Sequence, residues 1–90
     1  SEKEMFNLHV LVNQKIHLFE EIAAAKGVRI ANNIGKEFYV HADQNQIGLV
    51  IRNLIANAVK FSKMGGIVAL TANFTRGELK IVIDDRGVGM

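Results

Sequence analysis

The chain has 90 residues, enough for one domain with a thin core, since a chain this short buries only about 60 to 65% of the surface it exposes unfolded; with no cysteine, disulfides and thiolate zinc sites are excluded as reinforcement. Hydrophobic residues make up 49% of it, too many for a disordered chain, and they are spread over short periodic segments with no single apolar run able to cross a membrane. Eleven Lys and Arg against nine Asp and Glu leave a formal net charge of +2, and the cations are scattered rather than gathered into the basic stripe that nucleic-acid binding demands.

The opening Ser1-Glu2-Lys3-Glu4-Met5 has neither the basic start nor the apolar stretch of a secretory signal, which points to a cytoplasmic setting. Over residues 7–26, Leu8, Leu11, Val12, Ile16, Phe19, Ile22 and Ala23 recur at mostly three- and four-residue spacings and predict one amphipathic helix. Gly27 follows Lys26, a left-handed stop residue after a cation in the last turn, so the helix should end there. Residues 28–30 read as a short strand entering a turn at Asn32-Asn33, and Phe38-Tyr39-Val40 as another, being aromatic and β-branched.

Asp43 can cap the first amides of a following helix, and Gln46, three residues on, can reach back to complete a capping box. That helix should run to Phe61 or Ser62 with Ile47, Val50, Ile51, Leu54, Ala58 and Phe61 on its apolar face. At about 100° per residue, Gln46, Asn53, Asn57 and Lys60 fall together on an adjoining polar stripe. Gly65-Gly66 breaks the pattern, after which residues 67–74 and 78–83 predict two strands, paired as an antiparallel hairpin through Thr75-Arg76-Gly77. The last residues, Asp84-Asp85-Arg86-Gly87-Val88-Gly89-Met90, read as a glycine-containing loop at a strand end, a common place for ligand chemistry. With no repeat, low-complexity segment or linker, residues 1–90 form one unit.

Asn53 and Asn57 lie one helical turn apart, and each carries a carbonyl oxygen that could contact a hard cation. Magnesium bound to a nucleotide needs only one or a few protein oxygens, because phosphates and waters supply the rest. An Asn with Lys60 nearby could therefore hold magnesium and polyphosphate without a carboxylate cluster. Such stripes also serve to satisfy buried backbone groups or simply face solvent, and spacing alone leaves those alternatives open. Asp85 and the glycines at 87 and 89 add a carboxylate able to accept from an exocyclic amine such as adenine N6, beside backbone that permits a close approach. Acidic residues and glycines make ordinary turns too.

Taken together and in this order, the segment from Gln46 through Ser62, which includes Asn53, Asn57, Lys60 and Phe61, and the segment from Ile81 to Gly89 resemble the N box and first glycine box of the ATP-binding domain of sensor histidine kinases, in the GHKL superfamily, the likeness around the first extending from Asp43 through Gly66. The resemblance implies an α+β fold: a two-layer α/β sandwich, an incomplete Bergerat-type ATP-binding fold with two main helices packed on a mixed β-sheet. It implies that Asn57 helps coordinate ATP-bound Mg2+, that Asn53 lines the phosphate side, that Lys60 contacts phosphate and that Phe61 sits at the pocket edge. By the same resemblance Asp85, rather than Asp84, recognises adenine, and Gly87 and Gly89 leave room for the base. Related gyrase, chaperone and mismatch-repair ATPases carry Glu at the position of Asn53; Asn cannot serve as an ionisable base, which favours phosphotransfer over hydrolysis.

The implied reaction moves the γ-phosphoryl group of ATP to a histidine on a separate dimerisation and phosphoacceptor domain, and then to a response regulator. None of His9, His17 and His41 lies in a phosphoacceptor or metal-ligand context, so no catalytic residue is assigned within the chain. The resemblance further implies that the sequence stops before the family's mobile lid and second glycine box, so that the isolated chain binds nucleotide weakly and is a poor catalyst. A parent anchored in the inner membrane is compatible with this. The alternative is a nonenzymatic interaction module that keeps the scaffold and homodimerises through exposed sheet edges or apolar patches.

Overall fold

The computed structural model describes residues 2–86. Gly87 and Gly89, two of the expected site residues, therefore lie outside the described residues.

Asn7 sets the start of the fold. It ends a strand, β1 (Glu4–Asn7), and caps the helix that follows, α1 (Leu8–His17), by accepting the Val10 amide on its side chain at 3.0 Å while its own amide donates to the Lys36 carbonyl at 2.8 Å. The single helix expected over residues 7–26 is divided. After α1 the amides of Leu18 and Phe19 bond back three residues, to Lys15 and Ile16, tightening the chain into one turn before α2 (Glu20–Lys26) begins. A three-residue step keeps apolar residues on nearly the same side, so the sequence period passes through the break unaltered. Leu8, Leu11, Val12, Ile16 and Ala23 are buried as expected, but Ile22 is 60% exposed.

Gly27 ends α2 at φ 74°, with the Val28 amide on the Ala23 carbonyl and its own amide on Ala24, the paired bonds of a Schellman stop. The chain then enters β2 (Arg29–Asn32), crosses to β3 (Tyr39–Ala42) and turns into α3 (Gln44–Phe61). Asp43 caps α3 as expected, its Oδ1 accepting the amides of Asn45 at 3.0 Å and Gln46 at 3.2 Å. The reciprocal bond from the Gln46 side chain is not among the hydrogen bonds of the described residues. The strands β4 (Ile67–Thr75) and β5 (Glu78–Arg86) form the expected antiparallel hairpin, closed by Arg76 and Gly77 at φ 54° and 78°, the left-handed pair that a tight two-residue hairpin loop requires.

Two sheets result, rather than one. β1 pairs antiparallel with β3, a pairing that gives the Glu4–Asn7 segment a strand role its own sequence does not announce. β2, β4 and β5 form a mixed sheet, β2 parallel to β4 and β4 antiparallel to β5. Val68, Leu70 and Ala72 of β4 stand opposite Asp85, Ile83 and Ile81 of β5, and these rows face the helices. Over the described residues the fold is α+β with three helices and a mixed sheet, as expected in class but with one more helix and one more small sheet.

The core joins Leu8, Leu11, Val12 and Ile16 of α1 to Ile51, Ile55 and Val59 of α3 and to Val68 and Leu70 of β4. Here the expected face of α3 is corrected. Val50 is 50% and Phe61 72% exposed, whereas Gly48, Ile51, Ile55 and Val59 are buried. The cause is α1. A Cβ on Gly48 would lie 2.9 Å from Lys15 Cε and 3.6 Å from Leu11 Cδ1, so α3 rests against α1 along that line as well as against the sheet, and its buried stripe is turned toward both.

Candidate functional site

On a helix turning about 100° per residue, Asn53, Asn57 and Lys60 fall within roughly 60° of one another and nearly opposite Ile51, Ile55 and Val59. All three are exposed. Packing of the apolar stripe thus decides where the polar one points, which is away from the core. Among the described residues neither Asn53 nor Asn57 makes a side-chain hydrogen bond, in contrast to Asn7, Asn13 and Asn32, which tie α1 to the loops and strands around it. Among the described residues, then, the α3 asparagines satisfy no buried backbone group. Phe61, expected on the sheet side, turns outward beside Lys60, whose Nζ lies 5.4 Å from the ring centroid.

The carboxylate arrives from the hairpin. Leu79, Ile81 and Ile83 alternate toward the core, and the period of two carries Asp85 onto the same side of β5. Asp85 is thus the last residue of a core-facing row on a strand, not a member of a loop, since β5 continues through Arg86. Asp84 belongs to the other face and is engaged by Arg86, whose Nε donates to its Oδ2 at 2.9 Å. Asp85, the candidate from the sequence, and Asp84 thus stand on opposite faces of β5.

Ser62 joins the two parts. It is the residue on which the chain leaves α3, in extended conformation, and its Oγ donates to Asp85 Oδ1 at 3.1 Å. It is 3% exposed, the one buried polar side chain among the described residues. Lys26 steadies the same end of α3: its Nζ donates to the carbonyls of Val59 at 2.8 Å and Lys60 at 2.5 Å, satisfying acceptors that the helix leaves open at its C-terminus. Gly66 makes the room, because a Cβ there would sit 2.6 Å from Ser62 Oγ and 2.9 Å from the Lys63 carbonyl.

None of these three supporting residues is singled out by spacing. Lys26 reads in the sequence as a charge at the end of its own helix, while in the fold it caps a different one. Ser62 follows Lys60 and Phe61 directly, and a small hydroxyl residue at a helix end before a glycine pair is the only trace it leaves. A depression of about 470 Å3 lies at the opposite end of α3, bordered by Glu2, Glu4, Asp43 and the first helical turn. The 18 residues of α3 place it roughly 20 Å or more from Lys60 and Ser62, and none of the expected site residues lines it.

The donor set suits a magnesium–polyphosphate ligand. Amide oxygens are hard donors, they bring no negative charge against phosphate, and an ammonium stands one turn farther along.

No family model matches the chain. Histidine protein kinase DivJ of Caulobacter vibrioides is 31% identical over 90 residues, 99% of this chain and 15% of that protein. The chain accordingly spans only a small part of the curated relatives it matches. Among solved structures, the nucleotide-free catalytic domain of histidine kinase ThkA superposes with a TM-score of 0.85 at 23% identity, over 100% of this chain and 62% of that one. The structure of ThkA in complex with response regulator protein TrrA superposes at 0.79, again at 23% identity, over 92% of this chain and 25% of that one. In sequence and in fold, the chain resembles the GHKL-type ATP-binding catalytic domains of sensor histidine kinases.

Proposed function

We propose that the chain is the ATP-binding part of a two-component sensor histidine kinase, which in the whole protein transfers the γ-phosphoryl group of ATP to a histidine on a separate dimerisation and phosphoacceptor domain. The observation that carries this reading is the outward stripe of Asn53, Asn57 and Lys60 on a helix whose end is bonded, through Ser62, to Asp85. In the proposed roles, Asn57 offers its amide oxygen to magnesium and Asn53 borders the phosphates. Lys60 pairs with a phosphate oxygen, Phe61 stands at the pocket edge, and Asp85 accepts from the adenine amine; Gly87 and Gly89 complete the base side. Bound magnesium would neutralise phosphate charge and so ease departure of the terminal phosphoryl group.

What this chain contributes is position and electrostatics. Asn53 cannot take a proton from water, so the site holds the triphosphate without activating a hydrolytic nucleophile. We place the acceptor histidine on a separate domain, because none of His9, His17 and His41 stands in a phosphoacceptor sequence context; His9 is bonded to the Ile34 carbonyl and Asn13, and His17 pairs with Glu20 on the surface. The ThkA complex with its response regulator supports the same class of partner downstream. No described helix is long and apolar enough to cross a membrane, and we place the domain on the cytoplasmic side, where ATP is supplied.

The test is calorimetric titration of the natural polypeptide that carries these ninety residues with ATP and with tripolyphosphate, each with and without magnesium. Asn57→Ala should weaken magnesium-dependent binding of both ligands by about tenfold or more. Asp85→Ala should weaken ATP and leave tripolyphosphate unchanged. Absence of magnesium-dependent ATP binding by the unaltered protein would refute the reading.

A further inference from the structure

Ser62 combines three features that a residue serving only to end a helix does not need. It is buried to 3% exposure, its hydroxyl is spent on a carboxylate on another element, and the neighbouring Gly66 has no side chain where a Cβ would press on that hydroxyl at 2.6 Å. Its second contact, to the Lys63 carbonyl, is 3.5 Å and at the limit of a hydrogen bond. A strand-end carboxylate can rotate about its Cα–Cβ bond, and a donor fixed on Oδ1 removes that freedom. The other oxygen, Oδ2, makes no hydrogen bond among the described residues.

We propose that Ser62 is a positioning residue for base recognition: it locks the Asp85 carboxylate so that Oδ2 is presented to the exocyclic amine of adenine at a fixed distance from the Asn53, Asn57 and Lys60 stripe. This rests on the reading of Asp85 as the adenine acceptor. The coupling follows from connectivity. Ser62 is two residues from Lys60, on a helix end clamped by Lys26, so the base side and the phosphate side are referred to one rigid point. Adenine offers an amine where guanine offers a carbonyl oxygen, which a fixed carboxylate repels; a swivelling carboxylate can yield to either. Ser62 thereby sharpens discrimination between purines more than it raises affinity for phosphate.

The experiment measures dissociation constants of ATP, GTP and tripolyphosphate, all with magnesium, for the natural polypeptide carrying Ser62→Ala, Ser62→Thr, Asp85→Ala, or Ser62→Ala with Asp85→Ala. Ser62→Ala should reduce the preference for ATP over GTP about tenfold, the range expected for losing one hydrogen bond to a charged group, with tripolyphosphate unmoved. Ser62→Thr should restore the preference, and in the Asp85→Ala background Ser62→Ala should add nothing. If Asp85→Ala weakens ATP while Ser62→Ala leaves selectivity intact, the positioning role is overturned and the Asp85 reading stands. If Asp85→Ala leaves ATP binding unchanged, that reading fails and takes this one with it. Should Ser62→Ala not fold, the isosteric pair Ser62→Thr and Ser62→Val gives the comparison, and equal selectivity in the two overturns the proposal.

Discussion

Gly66→Ala tests whether the close approach behind Ser62 is real. The added methyl would lie 2.6 Å from Ser62 Oγ, 2.9 Å from the Lys63 carbonyl oxygen and 3.4 Å from the Arg86 carbonyl oxygen. Two escapes exist and both have a cost. Rotating Ser62 breaks its bond to Asp85 and leaves a buried hydroxyl unpaired, about 1 to 3 kcal/mol. Shifting the Lys63 carbonyl disturbs the 2.9 Å bond it accepts from the Gly66 amide, which closes the turn between α3 and β4. Overpacking in a tight site typically costs about 1 to 3 kcal/mol, against which alanine returns about 0.4 to 1 by restricting the unfolded chain. A net loss of about 2 kcal/mol corresponds to a melting temperature lower by roughly 8 to 16 °C for a domain of this size. Gly35→Ala is the control, because a Cβ there meets nothing within 4 Å and its φ is not positive. Thermal unfolding by circular dichroism reads both, and a Gly66→Ala melting point within about 3 °C of the Gly35→Ala variant would refute the reasoning.

Lys26→Met keeps the aliphatic stem and removes the amine from the Val59 and Lys60 carbonyls; urea unfolding should show a loss of about 1 kcal/mol, and hydrogen exchange should quicken selectively in the last turn of α3. Val50→Ser and Ile51→Ser distinguish the observed face of α3 from the one its sequence suggested: the first, half exposed, should change stability by less than about 1 kcal/mol, the second, fully buried, by more than about 3. Asn53→Ala with Asn57→Ala should leave the melting point unchanged or raise it, because both positions are exposed, alanine is the better helix former by roughly 0.7 kcal/mol per residue, and no side-chain hydrogen bond is lost within the described residues. A fall in melting point there would reveal a structural role for the pair.

The elements most legible in the sequence were those whose evidence is local. Asp43 caps α3 where its side chain could reach the next amides, Gly27 stops α2, and Arg76-Gly77 closes the hairpin. What escaped depends on contacts distant in sequence. β1 is a strand because Tyr39–Ala42 lies beside it, and four residues reading Glu-Met-Phe-Asn carry no period that says so. The buried face of α3 was misplaced toward Val50 and Phe61 because periodicity locates a stripe but not the second surface, α1, that widens and turns it. Of the candidate site, the polar stripe on α3 was legible as a stripe, whereas the bond that ties the end of α3 to Asp85 was not. Its donor, Ser62, lies 23 positions before its acceptor in the sequence, and its partner is set by a strand register.

One helix does two jobs here, and each constrains the other. Ile51, Ile55 and Val59 fix its rotation by burial, which commits Asn53, Asn57 and Lys60 to the opposite side; slipping the buried stripe by one residue would swing the polar groups about 100°. Rotation alone does not fix how far along its axis the helix sits. Lys26 and Ser62 at its C-terminal end supply that, through bonds that join the helix end to α2 and to β5. Asparagine in two exposed positions is unfavourable for helix formation, and among the described residues neither side chain makes a hydrogen bond in return. A buried serine that spends its hydroxyl on the acidic residue ending a core-facing row stands beside that outward stripe, and the ligand proposed above is one that would bridge the two.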